Sequence, residues 1–467
     1  MQRVKSAIKW TVSAVVLVLI GAVGFLLISP PDLLRVGTNY AAKIVCSNVF
    51  IADRDPKLVL REDVQAPGHP LLRYVQIDVD RDQQQVEARL LGIFATGTAV
   101  YREGFGCASL PSGERSNLAD TTLKRPAFDQ FDPNAIWPLG DKVIQTQSDR
   151  LQDLLDNSAL RGPNMRAIVV VHKGRIIGER YGDGFDAKTP LIGWSMTKTV
   201  NAALIGALLT EDFTLNRTDL LSNWHNDTRA NISLKMLMGM ESGLAWNEDY
   251  GDVSDVTRML YLTEDAAAFA AEKPLQDDIG NAKFEYSSGT SVILSRIWQN
   301  QLGKNSIFWP DRALFEPLGM RSAVFETDAS GTFMGSSYLY ATAQDWARFG
   351  LLLASGGKWY GNDILPETYY DFMVSPTPKS VTPWGENEYG QGQVWLNGPR
   401  GQTPDQLDPD ASFGLPDDMI WMSGHDGQSI AISQEAELVV VRMGLTPSRW
   451  GYKPQPLVAA ILEALPE

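Results

Sequence analysis

The sequence predicts an α/β chain of the α+β kind. One antiparallel sheet, flanked by helices, is assembled from strands near both ends of a module whose middle is a helical subdomain. Three observations carry this. An apolar run at 167–171, the turn His172-Lys-Gly and a returning run at 175–181 read as a hairpin. Met419-Ile-Trp-Met, Ser429-Ile-Ala-Ile and Leu438-Val-Val-Val-Arg-Met read as three successive strands. The stretch between, about 210–360, is rich in helix and loop patterns. Strands at both ends with helices between them fit one sheet with an insertion.

The flanking elements follow from periodicity. Residues 149–160 and 456–465 read as helices on either side of the sheet strands, and 195–209 as an apolar helix. Ahead of the module, 74–79 alternates in strand fashion, 98–101 resembles a second strand, and Asp80-Arg-Asp-Gln is a polar turn. Trp137-Pro-Leu-Gly marks a boundary. The chain therefore divides into 1–29, 30–140 and 141–467.

Composition narrows the function classes. With 467 residues, 44% of them hydrophobic and 21% charged, the chain can bury a large core. Its formal net charge of −15 argues against a nucleic-acid partner, which needs clustered Lys and Arg. The four histidines form no HxH or HExxH pair, so neither a metal site nor any other cofactor is expected. No GxSxG occurs, which weakens a nucleophile-elbow hydrolase.

The N-terminus points to export. Arg3, Lys5 and Lys9 precede an apolar run over 10–28, whose 19 residues would reach about 28 Å as a helix. Ser29-Pro30-Pro31 follows, with no small-x-small cleavage pattern. The expectation is an uncleaved transmembrane anchor, basic flank in the cytoplasm and body on the periplasmic or extracytoplasmic side. The alternative is a cleaved signal peptide and a secreted protein. In an oxidising compartment Cys46 and Cys107 are candidates for a disulfide; two unrelated buried thiols are the alternative.

Three segments carry candidate chemistry. The tetrad S-x-x-K occurs at Ser6-Ala-Ile-Lys9, Ser195-Met-Thr-Lys198 and Ser355-Gly-Gly-Lys358, so it proves little alone. Only Ser195 opens an apolar helix, where residues three apart share a face. Lys198 could then take the serine proton, provided burial lowers its pKa. An N-cap serine with an exposed lysine is the alternative. Next, Tyr286 in Glu285-Tyr-Ser-Ser288-Gly precedes another apolar helix; its hydroxyl could relay a proton if a nearby cation lowers its pKa, or it is an ordinary strand-end aromatic. Last, Gly424-His425-Asp-Gly427-Gln428 lies between two strands. It is either a tight Asp-Gly hairpin or the edge of a cleft, with His425 near substrate and the Gln428 N–H polarising a carbonyl.

In their order, S-x-x-K, Tyr-x-Ser and His-x-Gly resemble the motifs of the class C β-lactamase and penicillin-binding family over roughly 145–465. The lead-in Leu234-Lys-Met-Leu-Met-Gly-Met-Glu-Ser-Gly-Leu244 is similar too. Asn247-Glu-Asp-Tyr250-Gly-Asp252 resembles the active-site loop of the 6-aminohexanoate-dimer hydrolase and esterase branch. The resemblance implies a β-lactamase/transpeptidase-like fold and an acyl-enzyme mechanism. Ser195 attacks, Lys198 is the base and Tyr286 assists the leaving group. The N–H groups of Ser195 and Gln428 hold the oxyanion. Tyr250, Ser288, His425 and Gly427 contact substrate; a solvated acidic loop is the alternative for Tyr250.

Two departures shape the expected substrate. Ser288 stands where β-lactamases carry asparagine, and His425 where they carry lysine. Both replaced groups help to hold a β-lactam, so the expectation is a small ester or short linear amide. A β-lactamase or D,D-peptidase, and a non-catalytic binding protein on the same scaffold, are the alternatives.

Overall fold

The computed structural model describes residues 2–119, 131–144, 148–378, 381–382, 385–386, 388–400 and 408–465. They form two compact units. The first gathers 1–102, 107–118 and 249–264; the second holds 103–106, 119–248 and 265–467. The side chains of Arg3, Lys5 and Lys9 lie outside the described residues.

The first unit begins with helix α1, Gln2–Ile28. Pro30 and Pro31 cannot continue it, and α2, Asp32–Phe50, starts directly after them. A four-stranded sheet follows in the order β1 (Val75–Asp80), β2 (Gln85–Leu90), β3 (Phe94–Arg102), β4 (Gly106–Ser109). α2 lies along β3, and Asn39 Oδ1 accepts the Thr98 N–H at 3.2 Å. Cys46 on α2 is disulfide-bonded to Cys107 on β4, their Cα atoms 6.1 Å apart. The late segment belongs here through its own contacts. Arg258 pairs with Asp32 at 2.6 Å, and Tyr261 meets Tyr40 edge-on, with ring centroids 5.5 Å apart.

The sequence reading found strands in 31–140 but not α2. The reason is burial on almost every side. A surface helix betrays itself by one apolar stripe. Here Thr38, Asn39, Lys43, Ser47 and Asn48 are as buried as Val45 and Val49, so polarity does not mark a face.

In the second unit, α3 (Asp149–Asp156) is capped by Ser148. The single helix read over 149–160 is in fact broken at Asn157, whose side chain caps a separate turn, Ser158–Arg161. Then come β5 (Met165–His172), β6 (Arg175–Tyr181), α4 (Met196–Gly206), α5 (Ser288–Leu302) and α6 (Ala343–Ala354). The unit closes with β7 (Ile420–Gly424), β8 (Gln428–Ser433), β9 (Leu438–Gly444) and α7 (Gln455–Ala464). The sheet order is β7-β8-β9-β5-β6, antiparallel throughout, so the early hairpin joins the late strands at Val440↔Val170.

Alternation along the strands explains why these runs are apolar without interruption. Ile168, Val170, Leu438 and Val440 face α3 and α7, where Leu151, Leu155, Leu457 and Ile461 cover them. The intervening residues face α6: a Cβ on Gly350 would stand 2.6 Å from Val439 and 3.2 Å from Ile430. Both faces of the sheet are thus covered. Its edge strand β7 touches α4, the helix that opens at Ser195.

Candidate active site

Ser195 occupies the N-cap of α4, all of whose residues are buried. The residue before it, Trp194, has φ 47°, a left-handed conformation that costs a bulky side chain about 1 kcal/mol or more. Its ring is held by Tyr338, with centroids 5.8 Å apart, and by His425, at 5.6 Å. The serine is therefore presented on a braced turn.

One helical turn on, Lys198 is 1% exposed. Its Nζ lies 3.1 Å from Ser195 Oγ, 3.0 Å from Ser288 Oγ and 3.0 Å from the Ser336 carbonyl. Among the described residues, no carboxylate forms an ion pair with it. Desolvation lowers its pKa to about 8, against the opposing charge of Glu248.

Tyr286 and Ser288 come from the entrance of α5, which Ser287 caps through the Thr290 N–H at 3.0 Å. The Tyr286 ring lies 4.9 Å from the Lys198 Nζ. Tyr389 and Trp395 pack around that ring, at 5.8 and 5.6 Å between centroids. The sequence reading wanted a nearby cation to lower the tyrosine pKa. The structure reverses the sign. Desolvation, then the charge of Glu248, push it up, so the phenol stays protonated at neutral pH.

Glu248 is the residue that sequence reasoning missed. One oxygen accepts from Ser288 Oγ at 2.5 Å; the other accepts from the Ser288 N–H at 2.9 Å and from Trp246 Nε1 at 2.6 Å. Its only signal in the sequence was its place in the acidic loop beginning at Asn247. A pairing across 40 residues is not visible in any short motif. The Ser336 carbonyl left no signal at all, because a backbone acceptor has no residue type.

The third segment forms the hairpin turn joining β7 to β8. Asp426 and Gly427 both have positive φ, 57° and 80°. Gln428 is buried, and its side chain ties the turn together. It donates to the carbonyls of His425, Asp426 and Gly444, and accepts from the Gly444 N–H at 2.9 Å. Arg442 donates to the Gly427 carbonyl at 3.0 Å. Gly424 abuts the carbonyl of Gly193, so the strand end meets the turn before Ser195 with no room for a Cβ. The His425 side chain is 41% exposed against Trp194. Ser195, Lys198, Tyr286, Ser288, His425 and the Gly427–Gln428 turn are thus gathered within the second unit. Tyr250 belongs to the first.

The chain is similar to known proteins. The family model described as Beta-lactamase matches residues 162–447, more than half of the chain. The 6-aminohexanoate-dimer hydrolase of Paenarthrobacter ureafaciens is 22% identical over 222 residues; that match spans 45% of this chain and 57% of the relative's length. A Bacillus anthracis structure assigned as a 6-aminohexanoate-dimer hydrolase aligns over 76% of this chain and 90% of its own, at 22% identity and a TM-score of 0.55. EstCE1, a hydrolase with promiscuous acyltransferase activity, aligns over 68% and 97% at 16% identity and a TM-score of 0.51. At these identities the structural likenesses establish the fold, with its antiparallel sheets and flanking helices. With the family match covering the sheet, the S-x-x-K helix and the hairpin alike, the chain belongs to the beta-lactamase family of serine hydrolases.

Proposed function

We propose that the protein hydrolyses an ester or a short linear amide through an acyl-enzyme on Ser195, with neutral Lys198 as general base. The observation that carries this is the hydrogen-bond valence of the lysine. A neutral amine has two N–H donors and one lone pair. The Ser336 carbonyl can only accept. Ser288 gives its own proton to Glu248, so it too accepts from Lys198. Both donors are then spent, and the lone pair is left for the Ser195 hydroxyl.

The steps follow from that geometry. Ser195 Oγ bonds to the substrate carbonyl carbon as its proton passes to Lys198. The oxyanion rests on the N–H groups of Ser195 and Gln428. Protonated Tyr286 hands a proton to the departing oxygen or nitrogen and is replenished from Lys198. Water then attacks the acyl-enzyme by the reverse relay. Ser288, His425 and Gly427 are assigned to substrate contact. Glu248 steadies the transient ammonium through Ser288.

The rest of the assignment concerns place. Residues 1–29 serve as a membrane anchor, 30–140 as an extension and 141–467 as the hydrolase domain, held outside the cytoplasm. This reading is supported by the apolar stretch Trp10–Ile28, of which none is buried within the chain. Leaving it in water would expose an apolar surface far larger than soluble proteins tolerate. Intact mass after membrane extraction distinguishes an anchor from a cleaved signal peptide.

The deciding experiment is fluorophosphonate labelling of the native chain and of Ser195→Ala, with a substrate panel alongside. Labelling of the native chain alone, with turnover of p-nitrophenyl esters or linear amide dimers, is expected. Equal labelling of both would remove Ser195 as nucleophile. Fast turnover confined to a cephalosporin or a D-Ala-D-Ala peptide would make the enzyme a β-lactamase or peptidase.

A further inference from the structure

Most large apolar side chains exposed in the first unit, beyond α1 itself, share one end of its sheet. They are Leu33, Leu71, Tyr74, Leu91 and Ile93, each between 37% and 60% exposed. Leu91 and Ile93 lie in the turn from β2 to β3. The Leu91 N–H donates to the Tyr74 carbonyl at 2.9 Å, which sets the residues before β1 beside that turn. Leu72, between Leu71 and Tyr74, packs near Gly37 in the early part of α2, and Leu33 stands at the start of the same helix.

The same end carries the foot of α1. α1 touches β3. Of the stretch Trp10–Ile28, Gly24 and Leu26 alone are part-buried, so the contact lies at the C-terminal end of the helix. The far end of β1 and β2 is different. There the chain turns through Asp80-Arg81-Asp82-Gln83, about 20 Å away at 3.3 Å per strand residue.

The turn chemistry points the same way. Leu91 and Gly92 have consecutive positive φ values, 52° and 76°. Asn or Gly is preferred at the first of these positions, because a larger side chain is strained there. An exposed leucine at that position is a poor choice for a turn in water. Arg73, exposed between Leu71 and Tyr74, adds a cation whose alkyl stem can lie along apolar surface while its head stays hydrated. Tyrosine and arginine suit the headgroup layer.

We infer that Leu33, Leu71, Tyr74, Leu91 and Ile93 form an interfacial belt that seats the first unit in the outer headgroup–acyl boundary of a phospholipid bilayer. The inference rests on reading α1 as the bilayer anchor. The body of the first unit is then held against the membrane rather than swinging free on a tether, with the acidic β1–β2 turn pointing away from the lipid.

The test uses the full chain, which has no free thiol among its described residues. Single substitutions Val18→Cys, Leu91→Cys and Asp82→Cys each carry an environment-sensitive fluorophore. The proteins are reconstituted in phosphatidylcholine vesicles doped with lipid bearing a nitroxide near the headgroup or near the chain end. Val18→Cys should be quenched by the deep nitroxide, Leu91→Cys at least two-fold by the shallow one, and Asp82→Cys by neither. If Val18→Cys is quenched and Leu91→Cys behaves like Asp82→Cys, the belt is refuted and the anchor stands. If Val18→Cys is not quenched, the anchor reading fails and the belt with it. Circular dichroism of each labelled protein guards against misfolding. Leu91→Asp with Ile93→Asp supplies an independent check through a label at Tyr74→Cys, whose shallow quenching should fall to the level of Asp82→Cys.

Discussion

A buried amine with three hydrogen-bonding neighbours and, among the described residues, no carboxylate partner suits the role of base proposed above. Lys198 has that character, with its pKa lowered to about 8 by desolvation. Only the neutral amine can accept the Ser195 proton. Hydrolysis should therefore rise with pH through about 8 and level off above it, as a pH profile of kcat/KM will read. Lys198→Met should lower kcat/KM by about 10²- to 10⁴-fold and abolish that acid limb. Glu248 makes a sharper test, because its charge opposes the lowering of the lysine pKa. Glu248→Gln should move the acid limb to lower pH while reducing the plateau rate, since the ammonium formed on acylation loses its counter-charge. A purely structural role would alter stability and leave the limb where it was. Ser195, Lys198, Tyr286 and Ser288 were legible because each sits within a few residues of a recognisable helix start. Glu248 was not, since its carboxylate reaches Ser288 across 40 residues.

The turn before α4 and the hairpin after β7 work as a pair. Trp194 keeps a left-handed backbone because Tyr338 and His425 hold its ring. Gly424 lets β7 approach the Gly193 carbonyl more closely than any side chain would allow. Gly424→Ala should push the two apart. The expected cost is about 1–3 kcal/mol of stability by thermal denaturation. A fall in kcat/KM of about a hundredfold should accompany it, because the oxyanion donor proposed at Gln428, displaced by about an ångström, would lose its aim. The strands of this unit were readable because both faces are covered, which writes them as unbroken apolar runs. α2 was unreadable for the converse reason: its buried face includes lysine, asparagine, serine and threonine, whose hydrogen bonds run in part within the helix itself, from Asn39 to the Arg35 carbonyl, Lys43 to Ser47 and Asn48 to the Ile44 carbonyl, so polarity does not mark a face.

Taken whole, the chain is stapled within its first unit. The Cys46–Cys107 bridge closes a loop with a sequence separation of 61, which in the chain-entropy view is worth about 4 kcal/mol. Reduction, or Cys46→Ser with Cys107→Ser, should lower the thermal stability of that unit by an amount of this order, measured by calorimetry with and without reductant. That early and late strands of the second unit meet in one antiparallel sheet was legible from the sequence; the order of the strands was not. The membership of 249–264 in the first unit was not, since it depends on single contacts such as Arg258 with Asp32 and Tyr261 with Tyr40. That membership bears on how such genes can recombine. A crossover near residue 140 would splice one parent's N-terminal region to another parent's 249–264, two surfaces never selected to fit. Chimaeras that exchange both segments together should survive far more often than those that exchange either alone.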